Sequence, residues 1–193
     1  MQYCKEEEKL ALKIYCSHFS ISADKFLNIE KTESPDIQTK DNQIGIEVTQ
    51  VLSSEEGKID SLYEQAQQCL KDNKTIHNIK GINKYIVNKS IIIDKANNVA
   101  FFPIGDNIEP ICSAIKNKLN KLQSYKIFKT NILFLFLKYQ IHDKDSIEKT
   151  IVPIIKKLHF EYKLHFNQYI LYDILSSNLF LIDENYNVCL VRK

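Results

Sequence analysis

The chain is expected to fold as an α/β protein of the mixed α+β kind, a central mixed β-sheet flanked by helices. Three observations predict it. Segments with helical apolar spacing alternate with strand-like runs along the chain. One run, "ILFLFL" within Thr130–Tyr139, is apolar without alternation, as suits a central strand covered on both faces. The stretch from Gln168 to Lys193 reads as three strands, with turns at Ser176-Ser177-Asn178 and Glu184-Asn185.

The elements follow in order. Lys5 to Ser20 places Leu10, Ala11, Ile14, Tyr15 and Phe19 at helical spacing behind an acidic first turn that suits the helix dipole. Glu7 falls on the stripe of Leu10, Ala11 and Ile14, and Glu8 lies toward Leu12, Tyr15 and Phe19; one of them is a candidate to point inward. A short strand is expected at Phe26–Ile29. After a hairpin over residues 33–50, Ser53 and Ser54 are capping candidates for a helix on which Ile59, Leu62, Ala66 and Leu70 keep helical spacing. Strands at Lys89–Asp94 and Val99–Phe102 precede a helix from Gly105 to about Lys121. Past the central strand, residues 146–162 are helical, with Pro153 kinking or dividing the helix.

The chain has 193 residues, enough to bury a substantial core as a single domain over 1–193, with added strands over about 166–193 or an extra subdomain. A net charge of +2 is too mild to argue for a nucleic-acid partner unaided. The five cysteines (Cys4, Cys16, Cys69, Cys112 and Cys189) show no metal-site spacing and read as buried thiols of a reducing compartment. The first residues lack an apolar signal core, and no run can span a bilayer, so a cytoplasmic protein is expected with no membrane partner. Four glycines, none in a phosphate-loop pattern, disfavour nucleotide-driven chemistry.

The informative stretch is "ESPDIQTKDNQIGIEVTQ", residues 33–50. "KDNQ" is a turn signal, and a two- or four-residue loop there pairs Gln38 with Gly45 and Asp36 with Glu47. Ile37, Ile44, Ile46 and Val48 then share a core face, and Asp36 and Glu47 share the other. Two carboxylates with Cβ atoms about 5 Å apart repel, and a divalent cation between them removes the conflict. A solvated acidic hairpin is the plainer reading, and a three-residue turn would set the two on opposite faces.

With helices on either side, this stretch resembles the PD-(D/E)XK nuclease superfamily, whose members have a restriction-endonuclease-like core. Pro35-Asp36 matches its first element and Glu47-Val48 the start of its second. The resemblance implies metal-dependent phosphodiester hydrolysis, with Asp36 and Glu47 as ligands of Mg²⁺ or Mn²⁺ and a first-helix glutamate, Glu7 before Glu8, completing the shell. It also implies a nucleic-acid substrate, DNA being expected, a host-defence, toxin or repair role, and compatibility with a homodimer. Thr49 stands where the family has lysine. Thr49 or Gln50 would then position the water, although regular pleating puts Gln50 on the core face; Lys40 and Lys58 are candidates to replace the charge. The alternatives are a catalytically degenerate binding module of the same fold, for nucleic acid or a protein partner, and an unrelated α+β protein.

Elsewhere, His159 and His165 share no helical face, which argues against a zinc pair. Lys116, Lys118, Lys121, Lys126 and Lys129, then Lys156, Lys157 and Lys163, interleave with Tyr125, Phe128, Phe160 and Tyr162. That pattern suits a phosphate-gripping surface, but a charged outer helix face with core aromatics is the favoured reading.

Overall fold

A computed structural model describes residues 3–31, 34–52, 54–87, 91–93, 99–101, 108–137 and 143–192. The chain divides into two compact units, one formed by Met1–Val51 with Ile108–Lys193, the other by Leu52–Asn107. No Gly/Ser/Pro-rich linker marks either boundary.

The first unit holds a six-stranded sheet. Its strands are β1 (Ile37–Gln38), β2 (Ile44–Val51), β5 (Thr130–Leu137), β6 (Gln168–Asp173), β7 (Asn178–Ile182) and β8 (Val188–Val191), in spatial order β1-β2-β5-β6-β7-β8. The pairs β2–β5 and β5–β6 are parallel and the others antiparallel. The apolar run of β5 is buried on both sides, as its lack of alternation requires. Leu133, Leu135 and Leu137 join one core, while Ile132, Phe134 and Phe136 join the other. Helix α1 (Tyr3–Phe19) covers the second core with Ala11, Ile14 and Tyr15, whereas Leu10, expected on that stripe, is exposed.

Helix α4 (Glu109–Leu122) covers the first core through Ile111, Ile115, Leu119 and Leu122, joined by a helical segment over residues 144–161. That segment begins as α5 (Lys144–Ser146), passes through one π-helical turn over Ile147–Ile151 and continues as α6 (Val152–Glu161). The widened turn directly precedes Pro153, whose nitrogen has no hydrogen to donate back along the helix. The three C-terminal strands extend the same sheet. Their turns place Ser177 and Tyr186 at φ 57° and 64°.

The strand expected at Phe26–Ile29 is reduced to one bridge, Phe26 to Thr39, followed by a 3₁₀ turn at Ile29–Lys31. The hairpin register is the expected one: Ile37 faces Ile46 and Gln38 faces Gly45. A four-residue loop closes it, with Thr39 N–H donating to the Ile44 carbonyl at 2.9 Å. Thr39 Oγ1 accepts from the Gln43 and Ile44 amides, and Asn42 takes φ 58°.

The second unit contains α2 (Ser54–Lys71), α3 (Ile82–Val87) and the antiparallel pair β3 (Ile91–Ile93) with β4 (Val99–Phe101). Its core gathers Ile59, Ala66, Ile76, Ile82, Tyr85 and Ile91. Ser53, the flanks of the Lys89–Asp94 and Val99–Phe102 strands, and Gly105 lie outside the described residues. Among the described residues no helix is long and apolar enough to cross a membrane.

Candidate functional site

The register that pairs Ile37 with Ile46 sets Asp36 opposite Glu47, on the face of β2 that also carries Gly45, Thr49 and Val51. Val51 belongs to the core beneath α4, so this is the α4 side of the sheet. At Asp36 the carboxylate enters the ladder itself. Its Oδ2 accepts the Val48 amide hydrogen at 2.7 Å, while the Pro35 carbonyl, the backbone partner that the register offers Val48, is taken by Gln38 Nε2 at 2.9 Å. The backbone thus fixes one carboxylate at the sheet edge.

Glu47 is only 2% exposed. Its Oε1 receives the Lys118 ammonium at 2.5 Å and the Tyr125 hydroxyl at 3.3 Å. Its Oε2 is buried and has no hydrogen-bond partner among the described residues. Burial, then the charge of Asp36, raises the Glu47 carboxyl above its ordinary range, against the pull of Lys118. Burial likewise raises Asp36, opposed by the Val48 amide and by Lys118, Lys5 and Lys121. The Tyr125 hydroxyl is pushed up to about 12 by burial and by Glu47, so it stays protonated and able to donate.

Lys118 is the residue that sequence reasoning placed only among surface lysines. It lies three residues after Ile115 and four before Leu122, inside the buried stripe of α4, and its side chain is 15% exposed. A lysine at such a position is directed at something. Gly45 gives the site its floor. A Cβ there would stand 2.7 Å from both Phe128 and Pro35, so only glycine lets these two pack over the hairpin beside Glu47.

The other candidates are placed differently. Thr49 shares the Glu47 face, its hydroxyl donating to the Gln50 carbonyl at 3.3 Å. Gln50 continues the regular parallel register, opposite Phe136, with no bulge to turn it. It stays on the α1 side and hydrogen-bonds Glu7 through Nε2. Glu7 and Gln50 therefore meet each other rather than the Asp36–Glu47 pair. Glu8 is the inward glutamate of α1, 3% exposed, with the Lys5 ammonium at 3.2 Å. Lys40 sits exposed at the hairpin loop, and Lys58 belongs to the second unit.

The donor set fits a hard divalent cation in part. Two carboxylates side by side, one presenting a buried oxygen without a partner, match the oxygen ligands that Mg²⁺ prefers, with water completing the shell. Among the described residues, however, no three His, Cys, Asp or Glu side chains come together as a metal site.

His159 and His165 do meet, their rings stacked at 4.1 Å. His159 Nδ1 lies 2.9 Å from the Tyr186 hydroxyl and Nε2 lies 2.8 Å from that of Tyr169, so both nitrogens are engaged within the protein. This cluster ties α6 to the sheet. Phe128 is buried as expected, but Phe160 is 94% exposed and contradicts its assignment to the core. Comparison of the chain with protein-family models, curated proteins and solved structures finds no match.

Proposed function

We propose that this chain is a divalent-metal-dependent nuclease of the PD-(D/E)XK kind, hydrolysing phosphodiester bonds of DNA, with Lys118 supplying the positive charge that Thr49 does not. One observation carries the reading: the Lys118 ammonium contacts Glu47, which stands beside Asp36 on a hairpin edge. The order of elements supports it as well: α1 precedes the hairpin, and after the excursion through the second unit α4 leads into the parallel central strand β5.

In this reading Asp36 and Glu47 hold Mg²⁺ or Mn²⁺. Held there, the ion would supply Lewis acidity toward the phosphate and toward a bound water. The chain's own residues do the rest. Lys118, anchored on Glu47, holds positive charge where a phosphate approaching the carboxylates meets it and opposes the charge that builds on the phosphate oxygens. Tyr125 donates to the same Glu47 oxygen and fixes its rotamer. The Thr49 hydroxyl, on the same face, orients water as an acceptor.

A second reading has its own observation. The 2.5 Å contact already supplies Glu47 with a counter-charge, as suits a degenerate nuclease fold that binds nucleic acid or a protein partner without cutting. Cleavage of plasmid, linear and single-stranded DNA and of RNA, with Mg²⁺, Mn²⁺ or EDTA, separates the two. Metal-dependent cutting lost in Glu47→Gln and reduced on the order of 100-fold in Lys118→Met supports the nuclease. Cutting that survives Glu47→Gln overturns the assignment. No cutting on any substrate leaves the binding module.

A further inference from the structure

Phe160 is 94% exposed, whereas the next most exposed large apolar side chain among the described residues, Leu175, is at 55%. The cause is its place on α6. It follows Ile155 by five residues and Leu158 by two, off the stripe that those residues bury. Lys156 and Lys157 stand one turn back on the helix; the exposed Glu161 follows and ends it, and Lys163 comes two residues later, past the extended Tyr162. Lys157 and Lys163 are exposed, and Lys156 lies over the Tyr186 ring at 5.0 Å. Among the described residues no carboxylate forms an ion pair with any of the three, whereas Lys144 and Lys149, at the start of the same helical segment, are both paired with acids.

Helix α6 packs into the same core as α4, on the sheet face that carries Glu47. Gln123, just past the end of α4, donates to the Leu164 carbonyl at 2.8 Å, which ties the two helix ends together. Lys116 and Lys121 of α4 are likewise exposed and in no ion pair among the described residues.

We infer that Phe160, with Lys156, Lys157 and Lys163, is a contact site for single-stranded nucleic acid, the phenyl ring stacking on an unpaired base while the ammonium groups take flanking phosphates. A bare aromatic ring beside cations that no carboxylate neutralises is the combination such strands select, since every base has a π-face and every link a negative charge. A protein partner seated on an aromatic anchor would instead desolvate uncompensated lysines around it, and such contacts are depleted in lysine. The inference rests on the nucleic-acid reading above only for its choice of ligand, because binding is measured with cleavage switched off.

The chain contains no tryptophan, so Phe160→Trp places a single indole reporter at the site. In EDTA, oligothymidylate and oligouridylate are expected to quench its emission, with salt reversing the effect. In the wild-type background Phe160→Ala should weaken oligonucleotide binding about tenfold without moving the melting temperature. Lys157→Gln with Lys163→Gln should flatten the salt dependence. Three results would each overturn the inference: no quenching by either strand, equal quenching by duplex DNA, or a protein-concentration-dependent blue shift without oligonucleotide, which marks self-association. Metal-dependent cutting without quenching would remove this site and leave the nuclease standing. Quenching without cutting would keep the site and favour the binding module.

Discussion

Lys118 Nζ lies 2.5 Å from Glu47 Oε1, across 71 residues of sequence. The pair is largely withdrawn from water, with the side chains 15% and 3% exposed. Removing one partner of such a pair leaves the other buried and uncompensated. Lys118→Met should therefore cost about 3 kcal/mol near pH 8. The penalty should shrink toward pH 5. Glu47 is held above its ordinary range, so the folded state binds this proton more tightly than the unfolded chain does. The stability linked to Glu47 is thus full at acid pH and falls as pH rises through the raised value. Urea unfolding at the two pH values checks the sign.

Asp36→Asn keeps an acceptor for the Val48 amide and removes one of two neighbouring negative charges. Without metal it should gain up to about 1 kcal/mol, seen as a melting temperature some 2–4 °C higher. Mg²⁺ should raise the melting temperature of the wild type and leave this variant unmoved. A metal response that survives the substitution would take Asp36 out of the ligand set.

Glu7 and Gln50 bond to each other on the α1 side, away from Glu47. Glu7→Gln should leave the Mg²⁺ response of the melting temperature unchanged. A loss of that response would bring Glu7 into the shell.

Gly45→Ala sets a methyl group 2.7 Å from Phe128 and Pro35. Overpacking of this kind costs about 1–3 kcal/mol. The loss should appear in denaturant midpoints at every pH, unlike the charge effects at Lys118 and Asp36.

His159 is lowered to about 4 by burial, with the charge of His165 adding to it. The unfolded chain then takes up this proton first as pH falls. Stability linked to His159 is full above the ordinary histidine range and is lost as pH drops toward 4. Histidine Cε1 resonances followed by NMR should show one imidazole that stays neutral at pH 5.

The legible part of the fold was local. A two-residue period and a polar turn fixed the hairpin register, because a slip by one residue would have turned Ile37, Ile46 and Val48 out of the core. The unbroken apolar run of β5 announced a strand covered on both sides. Glu47's partner was hidden because the contact is non-local, and spacing carries no information about which helix crosses which strand. A trace existed all the same, since Lys118 interrupts the apolar stripe of α4. Phe160 was misread as core from its residue type, although its offset from Ile155 and Leu158 already put it on the wet side of the helix. Thr49 and Gln50, adjacent in sequence, went to opposite faces, as strand pleating requires.

The excursion from Leu52 to Asn107 sets an order of assembly. A chain growing from its N-terminus completes Asp36 and Glu47 long before the ribosome adds Lys118. Until then Glu47 lacks the ammonium that contacts it, and only the Val48 amide and the charge of Lys5 favour the ionised Asp36 beside it. The step that brings Glu47 its counter-charge also closes a loop of 71 residues, so the charge pair acts as a latch on the finished unit rather than as a seed for it.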